Sequence, residues 1–204
     1  MIAIIDYEMG NLGSIQKAFK RLNKDTIISN NPSDLMKADK LILPGVGNFE
    51  RGINNLEQLN LRQLLNELVI EKKVPILGIC LGMQLMCNFS EEGNKEGLGW
   101  IDAEVIKFKL NNRKLKIPHM GWNTINIVKD CTLLKQNTNN EYYFVHSYFV
   151  KCNDSKDIVS MSTYDDKFVS SFNKNNIYGF QFHPEKSHKQ GIDILSAFTK
   201  RLNV

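Results

Sequence analysis

No stretch of this chain approaches the ~20 consecutive apolar residues that a membrane-crossing helix needs, so the bilayer is set aside as its solvent. Runs of like charge are missing too. The net charge of +4, from 26 basic and 22 acidic side chains, is spread along the chain and builds no tail for nucleic acid. There is no C-x-x-C pair, and the four histidines, His119, His146, His183 and His188, are not spaced as a ligand set, so no metal is expected. The four cysteines, at 80, 87, 131 and 152, show no paired spacing either, and reduced thiols in a cytoplasmic protein are the expectation. The opening "MIAIIDYEMG" has neither the basic front nor the small-residue cleavage site of a signal peptide. Repeats, low-complexity segments and Pro/Gly/Ser linkers are absent as well. With 204 residues, 42% of them hydrophobic, one domain covering 1–204 is expected.

What is present is an alternation. "IAIID" (2–6), "TIIS", "DKLILPG" (39–45) and "VPILGI" read as short buried strands. Between them, "NLGSIQKAFKRLN" (11–23) and "LRQLLNELVIEKK" (61–73) read as helices; in the second, Leu61, Leu64, Leu65, Leu68 and Val69 fall on one face. Strands separated by covering helices predict an α/β domain with a mostly parallel sheet buried on both faces. After Trp100 the pattern shifts to "AEVIKFKL", "WNTINIV", "YYFVHSYFV", "IVSMSTY", "KFVSSFN" and "IYGFQFH", which predict antiparallel strands added to that sheet. A final helix places Ile192, Leu195, Phe198 and Leu202 on one face.

Three stretches carry chemistry. In "VPILGICLGMQLM" (74–86), Cys80 stands where a strand becomes a helix, with Gly78 and Gly82 two residues to either side. Such an elbow holds a nucleophile above the sheet edge, favours a thiolate at the helix start, and points the Leu81 N–H at a developing oxyanion. A small buried cysteine fits the same stretch equally well. In "IYGFQFHPEKS", Tyr178, Phe180 and Phe182 alternate with Gly179, Gln181 and His183, and Glu185 lies two residues beyond the histidine. A thiol, a base and a carboxylate that orients the base are the parts of an acyl-transfer site. "LILPGVGNF" (41–49) ends a strand in a turn whose Val46 N–H is a candidate second oxyanion donor, although an ordinary strand-to-helix turn reads the same way. "DYEMGNLGS" lacks both G-x-G-x-x-G and a P-loop lysine, so a nucleotide is not expected there.

With these residues in hand, the chain resembles the class I, or triad-type, glutamine amidotransferases from Met1 nearly to Val204. The likeness rests on "PGVG", "GICLGMQ" and "HPE" in that order. Together with "IPHMGWN" (117–123), "YYFVHSY" (142–148) and "FHPEKS" (182–187), it is similar to the branch of glutaminase subunits serving imidazole glycerol phosphate synthase. The resemblance implies Cys80 as nucleophile, His183 as acid/base and Glu185 as its orienting carboxylate. It implies L-glutamine as substrate, held by Gly47, Gln84, Glu92, His146, Ser147 and Tyr148. It further implies a heterodimer with a synthase (cyclase) subunit that meets Trp122 and Lys186, and no cofactor. Trp122 read by itself, without the resemblance, is a core residue, as most tryptophans of a domain this size are. Related subunits supply ammonia for amination of surface-polysaccharide sugars, and "GLGWIDAEV" (97–105) departs from the wording more frequent in the histidine pathway. A stand-alone cysteine hydrolase and a non-catalytic thiol redox module are the other readings.

Overall fold

The computed structural model describes residues 1–135 and 140–200, and Leu202 of the expected helical face lies outside them. Along the first half run β1 (Ile2–Ile5), α1 (Leu12–Arg21), β2 (Thr26–Ser29), α2 (Pro32–Leu35), β3 (Lys40–Leu43), α3 (Phe49–Gln58), α4 (Leu61–Asn66), β4 (Ile76–Ile79) and α5 (Leu81–Leu85). The second half adds β5 (Cys87–Ser90), β6 (Lys95–Glu96), β7 (Ile101–Lys107), β8 (His119–Thr124), β9 (Asn126–Ile127), β10 (Glu141–His146), β11 (Tyr148–Cys152), β12 (Ile158–Tyr164), β13 (Asp166–Lys174), β14 (Ile177–Phe180) and α6 (His188–Thr199).

Helix starts follow local chemistry. Asn11 accepts the Ser14 N–H ahead of α1, and Asn48 accepts the Arg51 N–H ahead of α3, satisfying donors that a helix leaves unpaired. In α1, Ile15, Ala18 and Phe19 are buried, the spacing of one helical face.

The main sheet runs β2-β1-β3-β4-β14-β13-β11-β7-β5-β6, with β12 paired to β13 and β9 paired to β12. From β2 to β14 every pairing is parallel. Successive residues of these strands enter opposite cores: Ala3, Ile5, Leu41 and Leu43 pack with α3 and α4, and Ile4 and Ile42 pack with Phe19, Ile194 and Phe198 of α1 and α6. Burial on both faces is why the strands read as continuous apolar runs. The last strand, β14, lies beside β4 with Phe180 opposite Ile79, so the segments that follow the two strands leave the sheet at one end.

Two expectations are corrected. "LRQLLNELVIEKK" does not stay α-helical: a π-helical turn covers Glu67–Glu71, closed by the Lys72 N–H to the Glu67 carbonyl. The wider turn buries both Leu68 and Val69 and leaves the Val69 carbonyl to Asn176 Nδ2 at 2.8 Å. "YYFVHSYFV" is also two strands rather than one. It breaks at Ser147, so that β11 enters the main sheet beside β7 while β10 pairs with β8 in a separate two-stranded ribbon.

Gly82 is where the elbow meets the end of β3. A Cβ on Gly82 would lie 1.8 Å from the Leu43 carbonyl oxygen, whereas one on Gly13 of α1 meets nothing within 4 Å. Gly82→Ala is expected to destabilise by at least about 1–3 kcal/mol through overpacking. Gly13→Ala is expected to stabilise by up to about 1 kcal/mol through helix propensity. Urea unfolding of both variants measures the opposite signs.

Candidate active site

Cys80 follows β4 directly and takes φ 52°, ψ −108°, a conformation that a residue with a Cβ adopts only when its surroundings enforce it. Its N–H donates to the Phe180 carbonyl at 2.7 Å and its carbonyl accepts the Gln84 N–H at 3.2 Å, which pins the elbow from both sides. The Pro44–Gly47 turn lies against it: a Cβ on Gly45 would stand 2.6 Å from Leu81 Cβ and 2.7 Å from the Gly82 nitrogen. Buried Tyr7 donates its hydroxyl to the Pro44 carbonyl and anchors the turn from below. The Cys80 sulfur lies 3.7 Å from both the Val145 carbonyl and Gln181 Nε2.

His183 arrives from beyond the neighbouring strand. β14 ends at Phe180, three residues earlier than the sequence pattern predicts, and His183 is held instead by its N–H to the Tyr143 carbonyl at 2.9 Å and by Ser187 Oγ donating to its carbonyl at 2.6 Å. Pro184–Lys186 form a single 3-10 turn that folds Glu185 back under the ring. Glu185 Oε1 accepts from His183 Nδ1 at 2.8 Å, with both side chains 2% exposed. Nδ1 therefore carries a proton, and Nε2, buried and without a hydrogen-bond partner, is left to serve the thiol beside it. Burial works against an imidazolium here, but a Cys80 thiolate and the Glu185 carboxylate outweigh it and hold His183 well above the ordinary imidazole range.

A cavity of about 250 Å³ opens over Cys80. Val46, Gly47, Leu81, Gln84, Glu92, His146, Ser147 and Tyr148 line it, joined by Pro118, which sequence reasoning gave no role. A roomier space of about 500 Å³, against Asn66, Trp100 and Asn176, lies at the other end of β4 and β14, away from the thiol. Glu92 Oε2 accepts the Phe49 N–H at 2.8 Å, which fixes a carboxylate at the rim of the pocket over Cys80. Both Gln84 amide hydrogens are used within the protein, on the Tyr148 carbonyl and on Gln181 Oε1, so what Gln84 offers a ligand is its acceptor oxygen. Acceptors of this kind suit an ammonium group. Gln181 was legible in principle, since it shares the strand alternation of His183; Tyr7 and His119 had no signal beyond their presence in quoted stretches.

Trp122 and Lys186 meet outside the pocket. Trp122 is 45% exposed, stacked on the His188 ring at 4.8 Å and edge-on to Tyr143, and Lys186 Nζ lies 5.7 Å from the same Tyr143 ring. Exposed Ile117 and Met120 precede Trp122 along the chain, and exposed Val46 sits at the pocket. Among the described residues no three His, Cys, Asp or Glu side chains come together as a metal-ligand set, and no helix is long and apolar enough to cross a membrane.

Behind the pocket, His119 Nδ1 and His146 Nε2 are 3.0 Å apart. Burial depresses both rings, His119 to about 4 and His146 to about 3. The unfolded chain protonates them below about pH 6.5 while the folded chain does not, so their contribution is full above that value and lost as pH falls toward 4 and 3. Urea midpoints between pH 7 and 4.5 should therefore fall more steeply for the wild type than for His119→Gln. Parallel slopes would remove His119 from the set of depressed groups.

The chain matches the family described as Glutamine amidotransferase class-I over residues 3–202. It is 52% identical to the imidazole glycerol phosphate synthase subunit HisH 2 of Methanococcus maripaludis over 98% of this chain and all of that one. It is 49% identical to the HisH subunit of Methanocaldococcus jannaschii, over 99% of this chain and all of that one. Among solved structures it superposes on a glutamine amidotransferase with a TM-score of 0.74 at 13% identity, covering 98% of this chain and all of that one. The glutaminase domain of Trypanosoma brucei CTPS gives a TM-score of 0.65 at 18% identity, over all of this chain and 95% of that one. These two show the shared fold. By the match along nearly its whole length and by its identity to such relatives, the chain belongs to the class-I glutamine amidotransferases.

Proposed function

We propose that this chain is the glutaminase subunit of an imidazole glycerol phosphate synthase, hydrolysing L-glutamine and passing ammonia to a cyclase partner for histidine biosynthesis. The carrying observation is Cys80 at positive φ in a pocket backed by the His183–Glu185 pair, in a chain that matches subunits of that name end to end. The wording at 97–105 bears on the acceptor alone, and those relatives do not favour amination of surface sugars.

The geometry supports a two-stage reaction. The Cys80 thiolate attacks the side-chain amide carbon of glutamine, and the carbonyl electrons move to an oxygen facing the Leu81 and Val46 N–H groups. As the tetrahedral intermediate collapses, His183 gives the leaving nitrogen its Nε2 proton, and ammonia departs from a γ-glutamyl thioester. His183 then takes a proton from water, the resulting hydroxide attacks the thioester, and glutamate leaves as the thiolate reforms. Glu185 holds the ring and stabilises its charged form throughout. No step calls for a metal or cofactor. Ammonia reaches an acceptor as a nucleophile only while unprotonated, so a sheltered route into a docked partner suits this chemistry. The exposed Trp122, Met120 and Ile117, beside the Lys186 cation, form the surface proposed for docking in a heterodimer.

Cys80→Ala should abolish glutamine-dependent synthesis and leave ammonia-dependent synthesis by the partner intact. Steady-state assays of the complex with each nitrogen source test this, and glutamine turnover at the wild-type rate in Cys80→Ala would sink the mechanism. Trp122→Ala should remain folded and weaken association by about 2 kcal/mol or more, the cost of truncating a hot-spot aromatic. Calorimetric titration with the cyclase subunit measures it. Fast glutamine hydrolysis by the chain alone would favour a stand-alone hydrolase instead.

A further inference from the structure

The buried polar groups around Cys80 allow only one placement of their protons. A carbonyl oxygen accepts and never donates, so His146 Nδ1, 2.8 Å from the Tyr148 carbonyl, must carry hydrogen. Neutral His146 then presents Nε2 as an acceptor, and His119 Nδ1 at 3.0 Å must donate to it. His119 Nε2 is in turn an acceptor, matched by Asn123 Nδ2 at 3.2 Å. Asn123 cannot turn its amide over, because its nitrogen also donates to the Thr163 carbonyl at 2.9 Å and its oxygen accepts the Thr124 N–H at 2.8 Å. On the other side of Tyr148, Gln84 Nε2 donates to the same carbonyl at 2.9 Å and to Gln181 Oε1 at 3.0 Å. That fixes the Gln181 amide with its nitrogen toward the Cys80 sulfur at 3.7 Å.

We propose that His119 and Gln181 are positioning residues of this site, the two ends of a hydrogen-bonded set that runs through His146, Tyr148 and Gln84 and delivers one fixed N–H donor to the nucleophile. The inference rests on the glutaminase reading for its purpose and on the hydrogen bonds for its content. An extra proton on either histidine would set two N–H groups against each other, either between the rings or between His119 and Asn123. The rings cannot swing away to relieve this: His119 lies between Phe144 at 5.0 Å and Tyr164 at 4.1 Å, both stacked on it, and Phe108 and Phe168 contact both histidines. His119, His146, Gln84 and Gln181 are all buried, so water does not compete for these bonds. At the far end, Gln181 complements a thiolate by donation and holds the sulfur over the pocket without carrying a charge that would compete with His183.

The chain has four histidines, few enough to resolve in a [¹⁵N]histidine-labelled sample. At pH 7, His119 and His146 should both show the proton on Nδ1 and a bare Nε2. His119→Phe should keep the His146 proton on Nδ1, held by the Tyr148 carbonyl, but shift the bare Nε2 signal to that of a ring nitrogen with no donor, and His119→Asn, whose amide reaches the former Nδ1 position, should shift it back. In the isolated chain, with neither glutamine nor partner, Gln181→Met should slow alkylation of Cys80 by iodoacetamide roughly ten- to a hundredfold, the effect of losing a hydrogen bond to a charged acceptor. Gln181→Glu keeps the shape without the donor and serves if the Met variant does not fold. Wild-type alkylation in a folded Gln181 variant, or a proton on His146 Nε2, would overturn the proposal. Alkylation and tautomers as expected, but no glutamine turnover with the partner, would count against the glutaminase reading and leave this one standing.

Discussion

The site depends on the parallel pairing of β4 with β14. Register decides everything downstream of it: Phe180 opposite Ile79 sends Cys80 and the His183 segment out of the same end of the sheet, and the Cys80 N–H is itself bonded to the Phe180 carbonyl. A slip of one residue would reverse the facing of every side chain on β14 and carry Gln181 away from the thiol. That register is secured by burial on both faces, with Leu77, Tyr178 and Phe180 in one core and Ile76 and Ile177 in the other.

Around that pair, close approach replaces side chains. The elbow and the Pro44–Gly47 turn touch backbone to backbone, and Tyr7 supports the turn from the interior. Two segments distant in sequence are thus held side by side at the thiol. The charges are arranged with similar economy: Glu185 and His183 form a buried pair, while the other histidines near the pocket remain neutral. Among these three rings positive charge is favoured on His183 alone.

The parallel half of the fold was legible because each strand is apolar on both faces and each helix shows its period. Cys80, His183, Glu185 and the pocket residues were singled out through motif likeness rather than through spacing, and the structure places the pocket residues around Cys80 and pairs His183 with Glu185. Alternation extended β14 too far, to His183, since nothing in "IYGFQFHPE" announces that the ladder stops at Phe180. The π-helical turn was hidden because what it pairs with is distant in sequence: the Val69 carbonyl it frees is taken by Asn176. Nor does the apolar pattern of "YYFVHSYFV" reveal that Ser147 divides it between two sheets. His119 was invisible for a related reason: its role lies in ring nitrogens and their partners, which a one-dimensional pattern does not encode.

The late arrival of β14 has a consequence for synthesis. Gln181 and Cys80 are 101 positions apart in sequence yet meet across the middle of the sheet. A ribosome-bound chain that has emerged only through α5 holds its cysteine at the edge of an incomplete sheet, with no imidazole to draw its proton. Sheets closed by such distant pairings also form slowly. On the proposed mechanism, Cys80 therefore meets the His183 segment only once β14 has paired with β4.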